Sequence, residues 1–216
     1  FTGCQITCKY GLGGYVKKVT NDFELVGGHP ALDFVNTLDW RFRESGPEEL
    51  IHDHEDLLRF AAQSGLLTHV QIQSIRRERT NRSASEAFHS ALDLREAISE
   101  IFYAIMDGVS PPTVAIKKLN QHLHAAESNR NLVWSRSRLE PSWLSKSNPN
   151  LPVWLLAQSA SGLLSADTVD SIRACADPQC RWLFLDTSKN HSRRWCDMKV
   201  CGNRMKARRF KVQHKA

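Results

Sequence analysis

The spacing of apolar residues predicts a chain that is mostly helical. The clearest pattern covers residues 85–106, where apolar side chains recur every three or four positions until Asp107-Gly108 ends it. The same spacing predicts four more helices, over residues 53–65, 69–79, 113–125 and 150–165. Pro30 opens a sixth, because a proline at the first helical position loses no hydrogen bond. The apolar face of that helix is expected to comprise Ala31, Phe34, Val35, Leu38 and Phe42.

Segments with the character of strands are few and short. Residues 23–26 fit a strand, and residues 131–144 fit a hairpin. Near the C-terminus, residues 182–185 fit a strand, residues 193–196 the strand that returns beside it, and a helix follows to about residue 212.

The predicted fold is therefore mainly α with a small β component, an α+β protein. We expect an irregular arm over residues 1–21 and a mostly helical domain over residues 22–168. A small unit made of a knuckle, a hairpin and a helix would follow over residues 169–216.

The last four cysteines form two pairs, each with four intervening residues. Cys175 and Cys180 make the first pair, and Cys196 and Cys201 make the second. Two tight turns that each carry two thiolates supply the tetrahedral ligand set that Zn²⁺ prefers. We therefore predict one structural Zn²⁺, since four protein thiolates leave no open position for a substrate.

Other fates of these cysteines fit less well. Two disulfides need an oxidising compartment, and reduced structural thiols need no paired spacing. An iron–sulfur cluster takes the same four ligands and stays open as an alternative. Cys4 and Cys8 have no second pair nearby, so we predict plain thiols there.

Positive charge is concentrated at the C-terminal end. The chain has a net charge of +6, yet residues 189–215 hold ten Lys or Arg and one acid, a net of +9. The rest of the chain has 19 basic and 22 acidic residues and is mildly acidic. A basic end attracts polyanions, most commonly nucleic acid, although a solvated tail has the same composition.

A helix that starts near Cys201 would place four cations at helical spacing in a single stripe: Arg204, Arg208, Lys211 and Lys215. The full set of predicted nucleic-acid contacts is Arg193, Arg194, Arg204, Lys206, Arg208, Arg209, Lys211 and Lys215. Arginine binds phosphate or guanine in a bidentate manner, so these side chains could position the unit, read a base, or do both.

Residues 175–210 resemble the CGNR zinc-finger family, named for the run that stands here at residues 201–204. Both cysteine pairs are in family-like places, as are Trp182, Phe184, Asp186, Arg193, Arg194 and Trp195. Residues 24–41, ELVGGHPALDFVNTLDWR, resemble the opening of the ABATE domain, which commonly precedes this finger, and residues 94–97 are similar to another segment of it.

The resemblance implies a bacterial protein of a family described as stress-induced transcription regulators. The expected partner is nucleic acid, with double-stranded DNA preferred and RNA permitted by the same basic stripe. Because a single finger covers little DNA, we also expect a homodimer formed through the helical domain.

A polar ridge follows the predicted start of the first helix. His29, Asp33 and Asn36 would lie at i, i+4 and i+7, with Arg95 as an ion-pair partner for one of these carboxylates or for an anionic ligand. These residues could line a pocket for a small effector, but capping and buried hydrogen bonds explain them more simply.

No sequence pattern indicates an enzyme. We find no nucleophile elbow, phosphate-cradling glycine loop or histidine pair of the metalloprotease type, so no catalytic residue is predicted. The alternative to a DNA-binding regulator is a ligand-binding or catalytic helical domain whose finger mediates protein assembly. Apolar runs are far shorter than the ~20 residues that span a bilayer, and no signal peptide is visible, so a cytoplasmic protein is expected.

Overall fold

The structure, a computed structural model, describes residues 22–214. The predicted arm over residues 1–21, the thiols Cys4 and Cys8, and the cation Lys215 lie outside these residues. The helices are α1 (Pro30–Val35), α2 (His54–Gln63), α3 (His69–Glu78), α4 (Asn81–Met106), α5 (Thr113–Ser128), α6 (Leu151–Leu164) and α7 (Asn203–Gln213). A 3₁₀ turn covers Asp167–Ser171, and a π-helical turn covers Met198–Gly202.

Three antiparallel pairs make up the strands of the described region. They are β1 (Leu38–Asp39) with β2 (Glu48–Glu49), β3 (Arg130–Ser135) with β4 (Arg138–Trp143), and β5 (Ile172–Ala174) with β6 (Leu183–Leu185). The fold is thus mainly α with small two-stranded sheets, as predicted. No helix among residues 22–214 is both long enough and apolar enough to cross a membrane.

Side-chain caps set the starts of α2 and α4. Asp53 caps α2 by accepting the Asp56 N–H at 2.9 Å. Thr80 caps α4 through its hydroxyl, which accepts the Ser83 N–H. Because this cap precedes the periodic apolar pattern, α4 begins four residues earlier than predicted.

The first helix is shorter than its sequence pattern indicates. It begins at Pro30 as predicted but ends at Val35. The prediction that its apolar face extends to Leu38 and Phe42 was therefore wrong, because Leu38 lies in β1 and Phe42 is 45% exposed. The chain turns back here to pair β1 with β2, and Trp40 takes up the left-handed backbone region with a φ of 52°.

The strand predicted over residues 23–26 was also wrong. The backbone of Phe23 is satisfied by a side chain instead of a neighbouring strand: its N–H donates to the Gln63 carboxamide oxygen at 2.8 Å, and its carbonyl accepts from the Gln63 amide nitrogen. The Phe23 ring packs edge-on against Phe60, with 5.4 Å between the ring centroids.

A single large core joins the helical part to the C-terminal part. Helices α1, α2, α4, α5 and α6 contribute most of its buried side chains. Ile172 of β5 and Leu183 of β6 belong to the same cluster and are 4% and 0% exposed. The sheet that leads into the cysteine region is therefore built on the helical core.

Asp33 is a buried carboxyl group at the start of α1. Its Oδ1 atom accepts the Gly27 N–H at 2.7 Å, and a side chain at Gly27 would place its Cβ 2.9 Å from that oxygen. Burial raises the pKa of Asp33 to about 6, and the Gly27 hydrogen bond partly opposes the shift. Since the folded pKa lies above the unfolded one, Asp33 stabilises the fold most when neutral, and this contribution is lost as pH rises through about 6.

Replacing Asp33 by Asn should remove this pH dependence. The free energy of unfolding of Asp33→Asn, relative to the natural protein, is expected to increase by roughly 1 kcal/mol between pH 5 and pH 8. Urea unfolding across this range measures it and avoids the lower pH at which zinc thiolates protonate. Asp170→Asn, at an exposed carboxyl group, is the control; a difference that does not vary with pH would contradict the assignment.

Candidate metal centre and basic helix

Four buried thiols converge at the end of the β5–β6 sheet where β5 ends and β6 begins. The first knuckle (residues 175–180) and the second knuckle (residues 196–201) each bring two of them together, and all four Sγ atoms lie within 4.8 Å of one another. Cys196 Sγ is 3.7 Å from Cys180 Sγ and 3.6 Å from Cys201 Sγ. A tetrahedron with Zn–S bonds of about 2.3 Å has S–S edges of about 3.8 Å. The spacing of the thiols therefore fits one Zn²⁺.

Aspartates shape both knuckles. The Asp177 carbonyl accepts the Cys180 N–H at 3.0 Å, which closes the first turn. The Asp197 carboxylate accepts the backbone N–H groups of Lys199 and Val200, which starts the π-helical turn that carries Cys201. The Asp177 carboxylate likewise accepts the Gln179 N–H at 3.2 Å. Hydrogen bonds from backbone N–H groups to an aspartate side chain stabilise tight turns, so the two cysteine spacings produce two similar turns.

The thiols are arranged for a cation. Contact with the Cys175 thiol, together with burial, raises the pKa of Cys180 and of Cys196, while hydrogen bonds from the other thiols lower the pKa of Cys175. Cys180 and Cys196 therefore resist deprotonation on their own. A bound Zn²⁺ removes that resistance because it stabilises thiolates directly. All four ligand positions are then filled by protein, and the metal is structural.

The sheet beside the metal differs from the predicted hairpin. The strand predicted at residues 182–185 is present as β6, but its partner is β5, which precedes the first knuckle. The predicted return strand over residues 193–196 was wrong. That segment makes one backbone bond to the first knuckle, from the Ala176 N–H to the Arg194 carbonyl at 2.8 Å. The reason is that Asp186 bends the chain, accepting the N–H groups of Ser188 and Arg193.

Three of the predicted nucleic-acid contacts hold the zinc-binding part together. Arg193 donates to the carbonyls of Trp195 and Cys196 and lies 4.2 Å from the Phe184 ring centroid. Arg204 and Arg208 bind the fully buried Asp177 carboxylate at 3.0 and 3.3 Å. The predicted cationic stripe therefore faces the protein at its first two positions.

Arg204 also connects the basic helix to the helical part. Its guanidinium lies 4.3 Å from the Trp40 ring centroid, in a cation–π contact. Arg208 donates a second bond, to Gln179 at 2.8 Å. Helix α7 is thus fixed against both the first knuckle and the turn between β1 and β2.

The remaining predicted cations of the described region face solvent. These are Arg194, Lys206, Arg209 and Lys211. At about 100° per residue, Lys206 and Arg209 lie on the side of α7 opposite Arg204 and Arg208. None of the four forms a salt bridge with another residue among 22–214, although Arg194 lies over the Trp195 ring.

The four residues of the predicted pocket are engaged inside the protein. His29 accepts the Ala31 N–H, and Asp33 accepts the Gly27 N–H. Arg95 binds Glu49 with two nitrogens at 2.7 and 2.6 Å and also donates to Thr37. A third nitrogen donates to Glu96 at 3.1 Å, so both carboxylate partners of Arg95 lie outside the ridge.

Asn36 has a role that its sequence position did not reveal. Its side-chain amide donates to the Leu183 carbonyl at 2.9 Å and accepts the Leu183 N–H at 2.8 Å. Both backbone groups of the first residue of β6 are thus satisfied by one side chain 147 positions away. The Gly27 carbonyl extends this contact by accepting the Leu185 N–H.

A cavity of about 300 Å³ lies between the metal centre and the helical part. Its lining includes Val26, Trp40, Trp182, Val200 and Arg204, besides three of the zinc ligands. Trp182 is 7% exposed, and its indole N–H has no hydrogen-bond partner among the described residues. A buried donor without a partner is uncommon in folded proteins.

Fold and site together define a zinc-finger protein whose four-cysteine centre is docked on a helical domain. Comparison with protein families agrees with this description. The ABATE model, described as "Putative stress-induced transcription regulator", matches residues 28–167, and the CGNR zinc-finger model matches residues 171–214. The chain belongs to the ABATE family and carries a CGNR zinc finger with one structural Zn²⁺. No curated protein matches it.

Proposed function

We propose that this protein is a transcription regulator that binds double-stranded DNA through the outward face of α7. The observation that carries the proposal is the division of the basic residues into two sets. Arg204 and Arg208 neutralise Asp177, whereas Lys206 and Arg209 project to solvent on the opposite face. A helix that is fixed on one side and cationic on the other fits contacts to a phosphate backbone.

The proposed role is regulatory and not catalytic. The two families that match are a regulator family and a zinc-finger family, and neither is an enzyme family. The metal has no open position for a substrate when four thiolates hold it. A regulator of this kind would act where the chromosome is, in the bacterial cytoplasm.

The sharpest test compares two double variants that lose the same charge. Lys206→Ala with Arg209→Ala removes the outward face of α7, and Arg77→Ala with Lys117→Ala removes two exposed cations of the helical part. Fluorescence anisotropy against random duplex DNA over a salt series is the measurement. The slope of log affinity against log salt should fall by about two for the α7 variant and stay unchanged for the control.

Three outcomes would redirect the proposal. Equal binding by both double variants would exclude α7 as the interface. Preferential competition by structured RNA would change the partner from DNA to RNA. An absence of binding by the zinc-loaded protein at low salt would favour the alternative in which the finger mediates protein assembly.

We also propose that a small effector binds in the cavity beside the metal centre. Support comes from the Trp182 indole N–H, which has no partner within the part of the chain that the structure describes, and from Arg204, which lines the cavity and fixes α7. A ligand there would carry a hydrogen-bond acceptor on a flat apolar body, and it would act directly on the basic helix.

Fragments with these features should shift the indole N–H signal of Trp182 in ¹H–¹⁵N spectra, and Trp182→Phe assigns that signal. Signals of the other indoles provide the internal control. If no fragment in the set shifts the Trp182 signal, the proposed effector site is wrong.

A further inference from the structure

The β3–β4 hairpin presents an apolar face to solvent. Leu132, Trp134 and Leu139 are 62%, 73% and 59% exposed. Single exposed apolar residues are ordinary on protein surfaces, but a contiguous group that includes a tryptophan marks an interaction site. The hairpin is otherwise regular, with six paired positions along its strands.

These side chains share one side of the hairpin. Leu132 pairs with Pro141, and Trp134 pairs with Leu139, so alternation along the strands directs all four the same way. Two positions further in on the same side, Trp143 stacks on Trp154 of α6, with 5.5 Å between ring centroids. The apolar face therefore begins at the core and continues to the tip of the hairpin.

The turn determines which backbone groups point outward. Arg136 and Ser137 form a two-residue connection with φ values of 47° and 67°, as in a type I′ turn. Residues flanking such a turn exchange hydrogen bonds, and bonded pairs then alternate along the ladder. The bond from the Leu144 N–H to the Asn129 carbonyl, at 2.9 Å, agrees with this alternation. It follows that Leu132 and Trp134 direct their N–H and C=O groups away from β4.

The two edges of the hairpin are not equivalent. On β4 the outward position opposite Leu132 is Pro141, which has no N–H to offer. Proline is a common means of preventing an edge strand from pairing. The β3 edge has no such protection, because residues 131–135 contain neither proline nor a charged side chain.

We propose that two copies of this chain associate through β3 of each, antiparallel across a two-fold axis. An antiparallel pair of identical strands is self-complementary, and with the axis at Val133, Leu132 lies opposite the partner's Trp134. No like charges meet within residues 131–135 of the two strands. The product is a four-stranded sheet whose apolar face is formed by both copies and is continuous with both cores.

The size of this contact indicates a reversible dimer. One largely exposed tryptophan and two leucines offer roughly 300 to 400 Å² of apolar surface per copy. Two copies then approach the lower end of specific interfaces, about 1,200 Å² once backbone and flanking side chains are included. A Kd in roughly the micromolar range is expected.

This inference deepens the proposed function, on which its biological meaning rests. A dimer would present two α7 helices to one DNA site, as regulators with single small modules commonly require. The association itself involves no residue of α7, so it can be tested without DNA.

Sedimentation equilibrium of the zinc-loaded protein without DNA tests the proposal, at about 1 to about 100 µM, a range that brackets a weak interface. The natural chain should pass from monomer to dimer across this range. Trp134→Lys should remain monomeric, because it places a charge in the shared apolar face. Val133→Thr, on the opposite side of the same strand, should dimerise normally and serves as the matched control.

Two results would overturn the proposal: a natural chain that stays monomeric at the highest concentration, or a Trp134→Lys variant that dimerises as well as the control. Far-UV circular dichroism and thermal unfolding confirm that each variant is folded. The two proposals fail separately: a natural chain that binds DNA but stays monomeric would contradict this inference alone, and a natural dimer that does not bind DNA would contradict the proposed function alone.

Discussion

The position of the zinc centre depends on one side chain, Asn36, which satisfies both backbone groups of Leu183. A buried peptide group without partners is costly, so the start of β6 requires this amide or an equivalent one. Asn36 directly follows α1, whose four buried apolar residues are fixed in the main core. These two hydrogen bonds therefore hold the strand that lies between the two knuckles against the helical part.

This constraint changes how the basic helix is understood. A finger on a flexible tether would present all its cations to any approaching polyanion. Here Asp177 is buried and holds Arg204 and Arg208, so one face of α7 is committed to the protein. The cations on the other face point to solvent. Arg204 also lines the cavity in which the Trp182 indole N–H has no hydrogen-bond partner among residues 22–214.

The sequence predicted those features that depend on local spacing. The periodic pattern over residues 85–106 identified α4, and the cysteine spacing identified all four thiols that converge. Features that depend on a distant partner were not readable. Nothing near residue 182 indicates that β6 pairs with β5 before the first knuckle, and nothing near Asn36 indicates a partner at residue 183.

The number of Lys and Arg residues does not show which of them face solvent. The count of Lys and Arg residues located a cationic end of the chain. It could not show which of these residues form ion pairs with a buried carboxylate. Asp177 lies beside Pro178 in the first knuckle, where its carbonyl closes the turn and its carboxylate binds two arginines. Only the folded structure shows that this buried acid in the knuckle pairs with two arginines one helical turn apart.

Native-state hydrogen exchange of the zinc-loaded protein tests most directly whether the finger and the helical part form one cooperative unit. The account predicts that the Leu183 amide and the amides of α4 share one free energy of opening, and that Asn36→Ala lowers protection at Leu183. Exchange of Leu183 through a separate opening, with a much lower free energy than that of α4 and no response to Asn36→Ala, would contradict it.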